Sequence, residues 1–130
     1  MTAATLFVKP EDLQRIRASL AADGVEVIPT AGLDEAIQTP APVLLLDGDG
    51  HPAWEQALRH VVEMRPTAKV VVLARNADHR MWIEVLSQGA HDLLPKPLLA
   101  SEVREAVLGA FRFATGRSAG AGNSAGAAAA

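Results

Sequence analysis

A carboxylate and an amine that lie far apart in the chain are the side chains best suited to do chemistry. Asp47 directly follows an uninterrupted aliphatic run, Val43–Leu46, and Lys96 precedes a proline at the end of the segment 89–97. Taken alone, an aspartate after a buried strand is more often a turn former or a helix cap than a reactive group. The chemistry of Asp47 therefore depends on whether the fold brings Lys96 to its carboxylate.

Short aliphatic runs alternate with helical patterns along the chain. The strand candidates are apolar runs bounded by turn residues, and they cover 6–8, 25–28, 43–46, 70–73 and 93–94. The helix candidates carry apolar residues at helical spacing, and they cover 11–22, 33–38, 54–64, 77–88 and 101–114. Strands that alternate with helices pair in parallel through right-handed crossovers. The pattern therefore predicts an α/β fold with a doubly wound parallel sheet, whose site lies beyond the carboxyl ends of the strands.

Composition limits the functions that the chain can serve. Its 130 residues, 49% of them hydrophobic, suit a single domain with one core. A net charge of -3 gives no basic field for nucleic acid or for an anionic membrane surface. The sequence has no cysteine, no signal-peptide pattern and no apolar run near the ~20 residues of a membrane span. We therefore expect a cytoplasmic protein without direct contacts to nucleic acid or membrane.

The composition changes near the carboxyl end. From residue 116 onward the sequence consists mainly of Gly, Ala, Ser and Asn, with no apolar face to bury. We therefore predict one domain over 1–115 and a flexible Gly/Ala-rich tail or linker over 116–130.

The segment 89–97, GAHDLLPKP, resembles the G-A-x-D-(aromatic)-(aliphatic)-x-K-P signature of bacterial response-regulator receiver domains, the CheY-like family. The resemblance extends over about 5–114 and implies a flavodoxin-like fold with five parallel strands in the order 2-1-3-4-5. It implies that Asp47 is the equivalent of the phosphoacceptor and Lys96 the equivalent of the lysine that contacts the phosphoryl group. It also implies a cis bond between Lys96 and Pro97.

Receiver domains usually carry two adjacent acids just after the first strand, whereas this sequence has Val8-Lys9-Pro10 there. Phosphoryl transfer to a carboxylate uses Mg²⁺, which prefers a shell of hard oxygen ligands. Glu11 and Asp12 could be displaced inward to replace the acids, although an acidic first helical turn is the simpler interpretation. Asp49 could add a carboxylate, or belong only to the tight turn at 47–50. We expect no metal or other cofactor, with Mg²⁺ at Asp47 and these three acids only if phosphorylation is retained.

The switch residues of the family are replaced as well. The resemblance places a hydroxyl after the fourth strand, where this chain has Ala74, which cannot donate that hydrogen bond. The aromatic residue three positions before the lysine is replaced by Leu93. Lys96 can still have a structural role without a phosphoryl group, because its ammonium can pair with Asp47 and hold the loop in place.

Other chemistry has little support in the sequence. The four histidines have no metal-type spacing, and no cysteine accompanies them, which argues against zinc. No phosphate-cradling glycine motif is present, so we expect no independent enzyme active site. Lys9, Arg75 and Lys96 could instead surround a small molecule or an anion at the strand ends.

An apolar surface suggests a different kind of function. Ile83 and Leu86 are predicted to face the core, which turns Trp82 toward the fifth strand and the last helix. In the last helix the predicted inner stripe is Val103, Val107, Ala110 and Phe111, and the predicted outer line is Ala106, Gly109 and Phe113. Exposed aromatic residues are typical interface anchors. The alternative is that Trp82 and Phe113 only pack over helix edges within one molecule.

These features together predict an atypical, degenerate receiver domain of two-component signalling. It would act as a protein-interaction module whose partner is a signalling protein, an effector domain or a second copy of the chain. One alternative is a working receiver that a histidine kinase phosphorylates at Asp47 with the help of Mg²⁺. Another is a pseudo-receiver that binds a small ligand.

Overall fold

Strands and helices alternate through residues 1–115, which are the residues that the computed structural model describes. The strands are β1 (Thr2–Leu6), β2 (Glu26–Pro29), β3 (Val43–Asp47), β4 (Lys69–Ala74) and β5 (Asp92–Pro95). The helices are α1 (Pro10–Leu20), α2 (Leu33–Gln38), α3 (Trp54–Met64), α4 (His79–Ser87) and α5 (Ala100–Thr115), and a 3-10 turn (Ala21–Asp23) follows α1. The tail predicted at 116–130 lies outside the described residues.

The strands form a parallel sheet in the order β2-β1-β3-β4-β5. The central strand is β3, and all five of its residues are buried. Its register pairs Leu46 with Leu6 of β1 and Asp47 with Leu73 of β4. Because the winding direction reverses between β1 and β3, a ligand site is expected beyond the carboxyl ends of these strands. The predicted fold class and strand order are confirmed.

Helices cover both faces of the sheet. On one face α1 and α5 pack against Val43 and Leu45 of β3. On the other face α2, α3 and α4 surround Leu44 and Leu46 of the same strand. A strand that is buried on both sides does not alternate polar and apolar residues, which explains the aliphatic run before Asp47. Within residues 1–115, none of the helices has the length and apolar character needed to cross a membrane.

The first strand begins four residues before its predicted start, because it covers Thr2–Leu6 rather than 6–8. The prediction was wrong because Ala3 and Ala4 give little hydrophobic signal, although both are buried. Ala3 faces the core under α1 and α5, and Ala4 faces the core on the opposite side. Phe7 and Val8 consequently follow the strand and belong to the loop above it.

The inward face of α4 differs from the prediction. Val85 is fully buried, whereas Ile83, which was predicted to face the core, is 52% exposed. Met81 packs into the core four residues before Val85, so the i and i+4 positions set the orientation. The side chain of Asp78 caps this helix by accepting a hydrogen bond from the Met81 N–H at 2.9 Å.

The last helix buries one residue more than predicted. Its predicted inner stripe is buried as expected, but Ala106, which was placed on the outer line, is also buried at 7% exposure. The reason is that α5 packs against α1 as well as against the sheet. The Arg104 guanidinium reinforces this second contact with hydrogen bonds of 2.8 and 2.9 Å to Asp23. A helix with two neighbours needs a wider buried stripe than a helix with one.

Candidate functional site

Asp47 and Lys96 meet above the centre of the sheet. Asp47 is the last residue of β3 and is completely buried, and Lys96 directly follows β5. Lys96 Nζ donates a hydrogen bond of 2.6 Å to Asp47 Oδ2. The bond between Lys96 and Pro97 is cis. The predicted pairing and the predicted cis bond are both confirmed.

Two further carboxylates approach the same ammonium group. Asp12 Oδ2 lies 3.4 Å from Lys96 Nζ, and Asp49 Oδ2 lies 3.5 Å from it. Asp12 belongs to the acidic first turn of α1, as predicted, and its carboxylate also lies beside Lys96; its predicted role as a metal ligand stays a prediction. Glu11 lies in the same turn but is exposed. The ammonium of Lys96 is thus shared by three aspartates, which come from α1, the end of β3 and the loop after β3.

Backbone groups fix the acids and the lysine in place. The Asp49 N–H donates to Asp47 Oδ1 at 2.7 Å, and the Arg75 N–H donates to Asp49 Oδ2 at 2.8 Å. The Lys96 N–H donates to the Ala74 carbonyl oxygen at 3.0 Å. These hydrogen bonds join the loops after β3, β4 and β5 into one assembly.

The environment of Lys96 favours its charged form. Burial disfavours a charged ammonium, but the hydrogen bonds and attraction of Asp47 and Asp12 outweigh burial and raise the pKa of Lys96 above its ordinary value. Three carboxylates against one ammonium leave an excess of negative charge in the pocket. Lys96 therefore stays protonated and positively charged in the pocket.

An aromatic residue stands directly after β1. Phe7 has a φ of 65°, which residues other than glycine rarely adopt, and its ring stacks on His51 with the centroids 4.6 Å apart. Gly50 permits this arrangement, because a Cβ atom added there would lie 2.1 Å from the Phe7 carbonyl oxygen. The residues just after β1 are therefore Phe7 and Val8, not 8–10 as predicted, and neither carries a carboxylate.

The positions that the resemblance assigns to a switch are apolar. Ala74 ends β4 at 1% exposure, and Leu93 lies in β5 at 8% exposure. Ala74 contributes to the site through its backbone carbonyl, which binds the Lys96 N–H. Neither side chain can form a hydrogen bond with a group near Asp47.

The carboxylates of Asp12, Asp47 and Asp49 come nearest to a metal-binding set, but Lys96 lies among them. Mg²⁺ needs an almost octahedral shell of oxygens at about 2.0–2.1 Å. An ammonium 2.6 Å from Asp47 Oδ2 occupies the space that such a cation would need. In the part of the chain that the structure describes, no three His, Cys, Asp or Glu side chains are grouped so that they could hold a metal ion. The residues in this arrangement do not fit Mg²⁺.

The candidate interface residues flank the edge strand β5. Gln88, which directly follows α4, accepts a hydrogen bond of 3.4 Å from Arg59 of α3, and Met81 packs into the core on this side of the sheet. Trp82, the residue after Met81, is turned by about 100° away from that side and is 44% exposed, with its ring stacked near that of His79. Phe113 of α5 is 62% exposed, and its ring centroid lies 5.1 Å from that of His91.

Trp82 and Phe113 lie at different levels along the direction of the strands. Trp82 lies near the start of α4, toward the carboxyl ends of the strands, and Phe113 lies near the end of α5, toward their amino ends. Gly109 is partly buried between these levels, and Ala106 no longer counts as a surface residue. The interface of Trp82, Gly109 and Phe113 stays a prediction.

Comparison with known proteins identifies the fold. No protein-family model and no curated protein matches the sequence. A CheY-like protein, tadZ, from Pseudomonas aeruginosa is 24% identical, with a TM-score of 0.71 over 85% of this chain and 98% of that chain. A response regulator from Thermotoga maritima is 22% identical, with a TM-score of 0.75 over 84% of this chain and 95% of that chain.

A longer protein matches as well. NtrX from Brucella abortus, solved in complex with ADP, is 16% identical, with a TM-score of 0.75 over 89% of this chain. The chain spans only 27% of the length of NtrX. The chain has the fold of response-regulator receiver domains, the CheY-like class, as its sequence predicted.

Two residues near the site were not singled out from the sequence. Phe7 was missed because it was assigned to the first strand. Arg15 lines a cleft beside Lys96 together with Glu11 and Asp12. Residues three and four positions apart share one face of a helix, so the spacing of Arg15 from these two acids is a signal that could have found it.

Proposed function

We propose that this chain is a degenerate receiver domain that acts as a protein-interaction module in two-component signalling. The observation that carries the proposal is the hydrogen bond of 2.6 Å from Lys96 Nζ to the buried carboxylate of Asp47. Asp12 and Asp49 approach the same ammonium. Lys96 thus supplies to Asp47 part of the positive charge that a divalent cation would otherwise supply.

The neighbouring positions support the loss of phosphorylation. Phe7 and Val8 add no carboxylate after β1, and Ala74 has no hydroxyl that could bond a phosphoryl oxygen. Asp47 is 0% exposed, so its carboxylate is closed to a phosphate donor in this arrangement. Each of these features removes a different requirement of phosphoryl transfer.

The proposed contact surface is the α4–β5–α5 face, represented by Trp82, Gly109 and Phe113. Its partner is a signalling protein, an effector domain or a second copy of the chain. Large exposed aromatic side chains are the groups that most often anchor protein interfaces, and two of them, Trp82 and Phe113, stand on the helices that contact β5. We further propose a cytoplasmic location and no direct role in binding nucleic acid or membrane, on the basis of composition and charge.

Phosphorylation is the direct test of the proposal. Wild-type protein incubated with Mg²⁺ and acetyl phosphate should gain no phosphoryl group by intact-mass spectrometry. Beryllofluoride should likewise shift no amide NMR signal around Asp47. The Asp47→Asn variant is the matched control and should behave as the wild type does. Stoichiometric modification of the wild type that is abolished by Asp47→Asn would overturn the proposal.

One observation favours a second candidate, a working receiver phosphorylated at Asp47 by a histidine kinase. Asp12, Asp47 and Asp49 all lie within 3.5 Å of Lys96 Nζ, so three carboxylates become available if Lys96 turns away. Titration with millimolar Mg²⁺ separates the two candidates. A working receiver should show saturable shifts of the Asp12 and Asp49 amide signals. A degenerate receiver should show them only after Lys96→Gln, which removes the internal cation.

A further inference from the structure

A cleft of about 460 Å³ opens beside the Asp47 pocket, between the N-terminus of α1 and the loop after β5. Its volume falls within the range of small-molecule sites, roughly 300–1,000 Å³. Pro97 and Leu98 form an apolar part of its wall. Its charged lining consists of Lys9, Arg15, Arg75, Lys96, Glu11 and Asp12.

The inner charged groups of the cleft already have partners. The Asp12 carboxylate lies 3.4 Å from Lys96 Nζ, so it is directed toward the buried pocket. Lys96 is shared among the carboxylates there and is only 7% exposed through its side chain. Neither residue is available to neutralise a charge at the cleft mouth.

The outer basic side chains have no partner among the described residues 1–115. Through their side chains, Lys9, Arg15 and Arg75 form no hydrogen bond or ion pair with any residue in 1–115. Other arginines of the protein are engaged, such as Arg65, whose guanidinium donates to the carbonyl oxygens of Thr39 and Ala41 at 2.6 and 2.9 Å. Three uncompensated cations from α1, its preceding residue and the β4–α4 loop therefore border one cleft.

We propose that this cleft binds a small phosphate-bearing molecule noncovalently through Lys9, Arg15 and Arg75. The planar fork of an arginine matches two oxygens of a phosphate group, and two arginines and a lysine can together satisfy its three terminal oxygens. The cleft is larger than a phosphate group needs. The wall of Pro97 and Leu98 provides a surface for the carbon part of a phosphate ester.

The charge balance of the region restricts the kind of binding. The basic side chains around the cleft and pocket are matched in number by Asp12, Asp47, Asp49 and Glu11. No net positive field draws in anions from a distance, so affinity has to come from direct hydrogen bonds. A ligand with two negative charges at one end suits this site better than a singly charged ion. The site does not depend on chemistry at Asp47, and thus stands apart from the proposed function.

Titrations with inorganic phosphate and with glycerol 3-phosphate test the proposal, with chloride holding the ionic strength constant. Both probes should cause saturable NMR shifts at the Arg15 and Arg75 side chains, and the ester should bind more tightly because of the apolar wall. The double variant Arg15→Gln/Arg75→Gln should weaken binding of the ester at least tenfold. The matched control is Arg80→Gln/Arg112→Gln, which removes two exposed arginines outside the cleft and should keep the wild-type affinity.

Two outcomes would overturn this proposal. One is an equal loss of affinity in both double variants, which would reveal general charge attraction rather than a site. The other is shifts that do not saturate at constant ionic strength. Thermal unfolding of each variant checks that the fold is retained. Neither outcome bears on phosphorylation at Asp47, which is measured separately by mass.

Discussion

Lys96 has more charged or hydrogen-bonding partners than Asp47. Replacing Lys96 should therefore reduce the stability of the fold more than replacing Asp47. The ammonium lies within 3.5 Å of Asp12, Asp47 and Asp49. The Asp47 carboxylate accepts hydrogen bonds from Lys96 and from the Asp49 N–H. Removing the lysine leaves three neighbouring carboxylates without a cation, whereas removing the Asp47 charge leaves Lys96 with two acids.

We predict that Lys96→Met lowers the free energy of unfolding by about 3 kcal/mol, because a buried carboxylate loses its counter-charge. Asp47→Asn should cost about 1 kcal/mol or less, because the amide can still accept a hydrogen bond from Lys96. Urea denaturation at neutral pH measures both values. Lys9→Met is the control for loss of a lysine charge and should have almost no effect. Equal and negligible changes for Lys96→Met and Asp47→Asn would show that the two groups are not coupled in the fold.

At the scale of elements, the loops that follow β1 and β3 pack closely against each other. The backbone of Phe7 takes a left-handed conformation and approaches Gly50 so closely that a Cβ atom at Gly50 would meet the Phe7 carbonyl oxygen. The Phe7 ring then stacks on His51. The absence of a side chain at Gly50 is therefore a requirement of the packing between these two loops.

We predict that Gly50→Ala destabilises the protein by about 2 kcal/mol, since the backbone of one loop must move to admit the methyl group. Gly109→Ala is a matched comparison within α5. A Cβ atom there meets only the Arg112 side chain, at an ordinary distance of 3.8 Å. It should stabilise the helix by roughly 0.5–1 kcal/mol. Thermal unfolding of the two variants should shift in opposite directions, and a shift of the same sign in both would contradict the close packing of the two loops.

The elements that could be predicted from the sequence are those with a strong local pattern. The central strand was predicted at 43–46 and is found at Val43–Asp47. Its consecutive aliphatic residues are typical of a strand that is buried on both faces. The start of β1 could not be predicted, because alanine gives little hydrophobic signal. Ala3 and Ala4 are core residues only because helices cover both faces of the sheet. The orientation of α4 was equally uncertain in sequence, since Trp82, Ile83 and Val85 are all apolar and point in different directions.

The same distinction holds for the site. The pairing of Asp47 with Lys96 was predicted from the family resemblance of two segments, one at the end of β3 and one at the end of β5. The approach of Asp12 to the ammonium and the position of Phe7 did not follow, because both depend on where β1 ends and how α1 begins. Those are features of tertiary packing that a local pattern does not contain.

At the scale of the whole molecule, exposed aromatic side chains lie on both sides of the edge strand β5. Trp82 stands on α4 and Phe113 on α5, and β5 itself is only four residues long. Short edge strands limit uncontrolled pairing of sheets, so association at this face would depend on the helices. A symmetric dimer would use each of these side chains twice.

We predict concentration-dependent dimer formation through the α4–β5–α5 face. Trp82→Ala should weaken the association by ~2 kcal/mol or more, because buried tryptophan anchors carry much of the binding energy at interfaces. Met64→Ala removes a side chain on α3 that is 56% exposed and outside this face, so it should leave association unchanged. Sedimentation velocity over a concentration series measures all three proteins. A wild type that stays monomeric at every concentration would rule out the dimer and leave another protein as the partner.

The ammonium inside the Asp47 pocket is attached to the chain by its own side chain. A tethered group keeps a fixed local concentration, which dilution or a chelator cannot lower. If the proposed loss of phosphorylation holds, a domain with such a built-in cation would not respond to the supply of phosphate donors or to the level of Mg²⁺. Under that proposal, the amount of the protein and the ligands or partners that bind it would control its output, rather than the chemistry of Asp47.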